Sequence, residues 1–474
     1  MEIRAYDTLT RRKRKIVPAE KGKRLLLYTC GPTVYDFAHI GNFRTYVFED
    51  LFRRTLEYAG FPLKHVMNLT DVDDKTIRGA RKEGVALDAF TSRYKKAFFE
   101  DLETLMILPA HAYPAATDYI PDMIVMIETL LAKKMAYGDG EGNVYFAIRS
   151  FPRYGALSSS VTETLRAGAS NRVSADEYEK EAVSDFALWK AHDPERDGEF
   201  FWESPFGRGR PGWHIECSAM AMKLLGDTID IHMGGVDNIF PHHENEIAQS
   251  EGCTGSPFAR YWIHVEHLIT EGKKMSKSLG NFYTLRDLRK RGYTGAEIRY
   301  LLSSVHYRMP LNFTLVGLEG ARATLKRLRD SVRRLRDIAR TRRGEGGSTC
   351  CLSHVETCRT GFRAALADDF NVSAALGSLF DLIRVINREI DGGAVTVDEA
   401  REVLRFLEEI NLIFPVLTDE PDGEIPHDVR DAFAKREEAR RAKKWSEADR
   451  QREYMESKGF TVEDLPGGSR ITRR

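Results

Sequence analysis

Cysteine is scarce in this chain of 474 residues, six in all, and no two of them form a CxxC pair. The N-terminus, MEIRAYDTLT, also lacks the apolar stretch of an export signal. A disulfide-built scaffold is therefore excluded, and Cys30, Cys217, Cys253, Cys350, Cys351 and Cys358 are left to burial or metal ligation. No apolar run approaches the roughly 18 residues of a membrane helix, so a cytoplasmic chain with no membrane partner is expected. Net charge is absent too: 71 Lys and Arg balance 71 Asp and Glu. A polyanion can be met only locally, at the arginine-rich stretch 326–343 and the basic stretch from Arg430 onward. What is plentiful is ordinary core material. Hydrophobic residues make up 42% and charged residues 30%, over a length too great for one core, which implies several domains and little disorder.

Leu25-Leu26-Leu27-Tyr28 reads as a buried strand, 43–58 as a helix with apolar pairs Val47/Leu51 and Phe48/Phe52/Leu56, and 64–69 as another strand. Strand, helix and strand at this spacing form a right-handed crossover with parallel strands, the unit of a doubly wound α/β nucleotide-binding fold. From about Tyr113 to Pro205 the pattern loosens into short elements, as in an insertion. Leu325, Leu328, Val332, Leu335 and Ile338 then mark one face of a helix, and helices continue to about Phe414, implying a bundle. A Pro-rich acidic linker, 418–427, leads into a last small domain.

Three constellations carry chemistry. His39-Ile-Gly-Asn42 opens the helix after the first strand, where free N–H groups and the dipole favour phosphate and Gly41 permits close approach. The same residues also suit a plain helix cap. Lys273-Lys-Met-Ser-Lys277-Ser, between Gly272 and Gly280, reads as a mobile loop whose ammonium groups can stabilise the charge built up when an α-phosphate is attacked. Cys30, Cys217 in GWHIEC, and His242 and Glu246 in PHHENE form an S, S, N, O set suited to zinc, and six of the 13 histidines fall between His214 and His267. Asp71, Asp73 and Asp74 read as a helix cap and turn rather than a metal site. Cys350-Cys351-x-x-His354-x-x-x-Cys358 reads as helix burial, since adjacent cysteines rarely share one zinc.

HIGN and KMSKS resemble the two motifs of class I aminoacyl-tRNA synthetases, the first normally written HIGH, with Asn42 in place of the last histidine. YTCGPTVYD, GWHIECSAM and FPHHENE resemble the stretches in which cysteinyl-tRNA synthetases carry their metal ligands. The resemblance spans essentially the whole chain. It implies a Rossmann-type catalytic domain in two halves, 1–112 and 206–252, around a connective insertion, 113–205. A stem-contact region with the KMSKS loop, 253–315, a helical bundle, 316–420, and a mixed α/β anticodon-binding domain, 425–474, follow.

What the resemblance implies for function is a cysteine–tRNA ligase, a monomer that uses ATP, L-cysteine and tRNA(Cys), with one Zn²⁺ and with Mg²⁺ accompanying ATP. Cys30, Cys217, His242 and Glu246 are then the metal ligands. His39, Asn42, Lys274 and Lys277 are catalytic, and with Thr33 and Gly41 they bind ATP. Thr70, Trp213, His232 and Asp237 line the cysteine pocket, although Met233 stands where the family usually has glycine. Arg440, Trp445, Asp449 and Asp464 read the anticodon, with GGSRITRR replacing a tail that commonly carries a tryptophan. Zinc ligation of the thiol gives a physical basis for rejecting serine without an editing site. The rival functions are a cysteine ligase of mycothiol synthesis, which lacks the anticodon domain, and a catalytically idle RNA-binding relative.

Overall fold

The computed structural model describes residues 1–19, 22–158, 185–340, 350–417, 426–465 and 468–473. They fall into two units, Met1–Leu417 and Thr418–Arg474. At the centre of the first lies a four-stranded parallel sheet in the order Ala259–Val265, Ile229–Gly235, Leu25–Thr29, Leu63–Met67. These strands are short, largely apolar and buried on both faces, the pattern required when helices cover a parallel sheet on either side.

The expected crossover is present: strand Leu25–Thr29 leads through helix Ile40–Tyr58 into the parallel strand Leu63–Met67. The helix begins three residues before the expected 43, because His39 caps it. The second strand ends at Met67 rather than 69, although Leu69 still bridges to Ala115. One sheet face packs on a core that joins Leu25, Leu27, Ile231 and Ile263 to the later helices. The other packs on a core of Tyr28, Val66, Phe186, Trp189 and Ile215.

The inserted segment carries a second, antiparallel sheet in the order Ala136–Gly138, Val144–Phe146, Phe186–Ala191, Gly209–Pro211. Its last strand lies past the expected boundary at 205, and the central sheet's outer strand, Ala259–Val265, lies past the one at 252. Residues 159–184 of the insertion lie outside the described residues.

The expected bundle is formed by Leu315–Arg340, Cys350–Ala367, Val372–Asp391 and Val397–Ile413. Leu325, Leu328, Val332 and Leu335 are buried and Ile338 is half-buried, as their spacing predicts. Cys351 and Cys358 are buried in this core, and burial pushes the Cys358 thiol up to about 12. Among the described residues no metal-holding group includes either one. The C-terminal unit, described by itself, has two helices, His427–Arg441 and Trp445–Ser457, and an antiparallel hairpin, Phe460–Leu465 with Gly468–Arg473. Val429, Met455, Phe460 and Ile471 make its core, the mixed α/β domain expected. No helix among the described residues is long and apolar enough to cross a membrane.

A buried ion pair ties the crossover helix to the chain that follows the catalytic sheet. The Asp50 carboxylate accepts from Arg299, from Arg54 Nε at 2.8 Å and from the Leu108 amide at 2.8 Å, and the Asp50 and Arg299 side chains are fully buried. Arg299 also donates to the Leu105 carbonyl at 2.8 Å. Removing one partner of such a pair strands the other charge away from water. Arg299→Met is therefore expected to destabilise the protein by about 3 kcal/mol in urea unfolding, and a loss below about 0.5 kcal/mol would show that Arg54 and the Leu108 amide suffice to hold the Asp50 charge.

Candidate active site

The first site loop leaves strand Leu25–Thr29 at Cys30. Gly31 follows because its backbone is pressed against the neighbouring strand's exit: a Cβ there would stand 1.8 Å from the Asn68 carbonyl oxygen. The Gly31 amide instead donates to Asn68 Oδ1 at 2.9 Å, and Thr33 bridges to Thr70. At the helix entrance His39 and Asn42 form a reciprocal cap. Asn42 N–H donates to His39 Nδ1 at 3.2 Å, and His39 N–H donates to Asn42 Oδ1 at 3.1 Å.

The cap determines the chemistry left over. An imidazole accepting at Nδ1 carries its proton on Nε2, and an amide accepting at Oδ1 keeps its NH₂ for other work. Burial pushes His39 down to about 4 against the opposing pull of Asp237, so the ring is neutral near pH 7. Gly41 is needed here as well, since a Cβ would lie 2.9 Å from His39 Nδ1.

The KMSKS loop meets this entrance. Ile40 N–H donates to the Tyr283 carbonyl at 3.0 Å, and His39 bridges to Thr284. The loop itself is folded around buried Asn281, which accepts from the Ser276 amide at 2.8 Å and donates to the carbonyls of Lys274 and Thr270 at 3.1 and 3.2 Å. Gly272 and Gly280 occupy left-handed positions, φ +72° and +65°, at its two turns. Lys277 reaches Asp36 in the first loop, Nζ to Oδ2 2.7 Å, and this carboxylate raises its pKa. Lys274 is exposed.

Beneath the loops lies a buried cluster: one ligand atom from each of Cys30, Cys217, His242 and Glu246 falls within 4.8 Å of the others. Neighbours orient two of them. His214 and His242 share a hydrogen bond between their Nδ1 atoms at 2.9 Å, leaving His242 Nε2 to face the cluster. His232 Nε2 bonds Glu246 Oε2 at 3.0 Å, leaving Oε1 as a buried oxygen with no hydrogen bond, 3.1 Å from His242 Nε2. A buried orphan carboxylate oxygen beside an imidazole nitrogen and two thiols is the donor set of a thiophilic divalent metal. A hydrogen bond from Cys30 brings the Cys217 thiol down to about 6 against burial, while burial pushes Cys30 up.

A second grouping, Cys30, His232, His243 and Glu246, shares two members with the first. In it His232 holds Glu246, and His243 Nε2 bonds Cys30 Sγ at 3.3 Å while its Nδ1 bonds His264 at 2.8 Å. Both histidines thus serve as outer supports of the first grouping. Sequence reasoning misses His214, His243 and His264 as site residues. Their only signal there is the density of histidine between 214 and 267.

Of the expected cysteine pocket, Trp213 stacks on His242 with centroids 4.0 Å apart, and the Thr70 hydroxyl accepts from Asn68 Nδ2 at 3.3 Å. Asp237 is exposed and faces His39 closely enough to oppose its loss of charge. Met233 is buried in the core that holds Ile231 and Ile263, so its side chain belongs to the sheet's other face and its carbonyl accepts from Cys30 N–H at 3.2 Å.

The three carboxylates after the second strand are all engaged. Asp73 caps helix Asp74–Glu83, Asp71 pairs with Lys95 at 2.6 Å, and Asp74 pairs with Lys190 and Arg210. Glu244, just after the histidine pair, accepts from the amides of Gly155, Leu157 and Ser158 at 2.7 to 3.1 Å. In the C-terminal unit Asp464 accepts from Arg436 at 2.9 Å and pairs with Arg440, which holds its carboxyl well below the usual range. Trp445 is 59% exposed and Asp449 is exposed.

Residues 16–323 match the catalytic domain of tRNA synthetases class I (C), and residues 361–418 match the DALR domain. The chain is 55% identical over 473 residues to the cysteine–tRNA ligase of Protochlamydia amoebophila, covering 100% of this chain and 98% of that one. It is 51% identical to that of Chlamydia muridarum, covering 100% of both. Two solved structures share the fold. A Mycobacterium tuberculosis methionyl-tRNA synthetase bound by methionyl-adenylate has a TM-score of 0.63 at 15% identity, over 83% of this chain and 92% of that one. A putative arginyl-tRNA synthetase from Campylobacter jejuni has a TM-score of 0.54 at 14% identity, over 84% and 94%. With the HIGN and KMSKS stretches meeting at one helix entrance and relatives matched end to end, the chain belongs to the cysteinyl-tRNA synthetase family of class I aminoacyl-tRNA synthetases.

Proposed function

We propose that this chain activates L-cysteine with ATP and transfers it to the 3′ end of tRNA(Cys), choosing cysteine through a zinc ion held by Cys30, Cys217, His242 and Glu246. The observation that carries this reading is the buried cluster itself, in which His242 Nε2 and Glu246 Oε1 are left without other work by the bonds at their far atoms. Zinc supplies a Lewis acid that prefers thiolate to hydroxyl, so serine gains nothing at the position where cysteine gains a bond.

The chain's own residues carry the rest. The cysteine carboxylate attacks the α-phosphate of ATP and pyrophosphate leaves, and a ribose hydroxyl of tRNA then displaces AMP from the cysteinyl adenylate; Mg²⁺ accompanying ATP would neutralise part of the phosphate charge. His39 Nε2–H and the Asn42 amide donate to phosphate oxygens at the helix entrance, aided by the helix dipole. Lys277 exchanges the Asp36 carboxylate for the departing phosphates, with Lys274 beside it. Thr33 and Gly41 line the nucleotide's path. Trp213, Thr70, His232 and Asp237 surround the amino acid, His232 acting through Glu246. In the C-terminal unit, Trp445 offers an exposed ring to an unpaired anticodon base, Asp449 a nearby acceptor, and Arg440 with Asp464 a fixed ion pair at the same surface.

Lys277→Ala is expected to slow cysteine-dependent ATP–pyrophosphate exchange by roughly 10² to 10³ in kcat while changing the KM for cysteine little; equal losses in both would remove Lys277 from the transition state. Elemental analysis is expected to find one zinc per chain, and Cys217→Ser to lose it. In the same variant the preference for cysteine over serine, on the order of 10⁴ when a site is built around one polar group, collapses. A metal-free enzyme that keeps its preference would show that selection has another source.

A further inference from the structure

Three of the four clustered ligands are tied to a residue outside the set. His243 Nε2 bonds Cys30 Sγ at 3.3 Å, His214 Nδ1 bonds His242 Nδ1 at 2.9 Å, and His232 Nε2 bonds Glu246 Oε2 at 3.0 Å. Cys217 has no such tie among the described residues. The groups that act on its thiol are Cys30, Glu246 and His242, all of them fellow members of the set. Their help is withdrawn when the set does its work. A Cys30 thiolate has no proton to give, and an imidazole nitrogen that ligates an ion has none either. The Cys217 sulfur, which is buried, would then carry its charge without a donor of its own, and an unpaired charge away from water is costly.

A buried donor beside it is idle. Tyr28 is fully buried, and its hydroxyl has no hydrogen-bond partner among the described residues. A phenol hydroxyl deep in a core normally finds an acceptor, so an idle one needs a reason. Its placement points to the cluster. Tyr28 stands two residues before Cys30, hence on the same face of the strand. It lies opposite His232 in the parallel ladder, and the two rings meet edge to face with centroids 5.3 Å apart. Tyr28, Cys30 and Cys217 share one core, and Cys217 is the neighbouring group whose charge bears most on the hydroxyl, ahead of Cys30 and Glu246. The latter two already have partners in His243 and His232.

We propose that Tyr28 is a positioning residue of the metal site, its hydroxyl donating to the Cys217 sulfur once that sulfur is a thiolate, so that each of the four ligands is held from outside the set. The proposal rests on the function given above, in so far as the cluster holds a metal ion. The test is full-length Tyr28→Phe, which removes the hydroxyl and keeps the ring against His232. Competition with a chelator is expected to show zinc held about tenfold less tightly than in the parent. With cobalt(II) in place of zinc, the near-ultraviolet thiolate-to-cobalt band should move to longer wavelength, because a sulfur relieved of a hydrogen bond gives up its electrons more readily. The position of that band reads the sulfur itself and does not depend on how much of the variant folds. A shifted band supports the assignment whatever the affinity. An unshifted band overturns it, even with weaker binding, since a packing fault loosens the ion without touching the sulfur's electrons. A parent that holds the ion but performs no cysteine-dependent ATP–pyrophosphate exchange would sink the functional reading alone, with the band still deciding the part of Tyr28. A parent that binds neither zinc nor cobalt overturns both.

Discussion

The site depends on one pairing between distant parts of the chain, the parallel ladder that joins Leu25–Thr29 to Ile229–Gly235. Its register sets Tyr28 opposite His232 and Thr29 opposite Met233, and it closes with the bond from Cys30 N–H to the Met233 carbonyl. Because side chains alternate along a strand, a slip of one residue would turn His232 away from Glu246 and carry Cys30 out of reach of its partners. Burial on both faces is what makes that slip costly: Ile231 and Met233 would have to leave the core that now holds them.

Around this register the protein uses the same residues twice. His39 and Asn42 cap a helix and, through the cap, fix which of their atoms remain as donors. His232 and His214 each spend one nitrogen orienting a neighbour in the cluster. A histidine fully buried on every side is held neutral by loss of solvation, as His243, His264 and His65 are, and so serves as a hydrogen-bonding spacer of fixed shape. A polar cluster in a dry interior keeps most of its atoms paired, and Glu246 Oε1 stands out with His232 Nδ1 and Glu216 Oε2 as buried atoms that have no hydrogen bond.

Much of this is legible in the sequence. Leu25–Thr29 and helix Ile40–Tyr58 announce themselves by apolar periodicity, and the bundle face from Leu325 to Leu335 does so through its spacing. The clustering of Cys30, Cys217, His242 and Glu246 is expected from the resemblance of their stretches to those of cysteinyl-tRNA synthetases, whereas their spacing alone is a weaker signal. What cannot be read is long-range. Gly209–Pro211 and Ala259–Val265 join sheets whose other strands lie far away, and three or seven residues carry too little pattern to reveal the partner. The supports His243 and His264 have no local signature, since their role exists only once the sheet has brought Cys30 between them and the later helix. The KMSKS stretch, which reads as a mobile loop, is organised by Asn281, a residue outside the motif.

The buried Glu244 gives the insertion a grip on the ligand cluster. Its carboxylate gathers the turn at Gly155 to Ser158, while the same short helix, two residues on, presents Glu246. A change in that turn is therefore transmitted along one helical step to the orphan oxygen, as is one at Tyr154, whose hydroxyl bonds Asn245 in the same helix. The carboxylate next to the cluster is thus anchored by a strip of backbone in a different layer of the molecule from the thiols it lies beside.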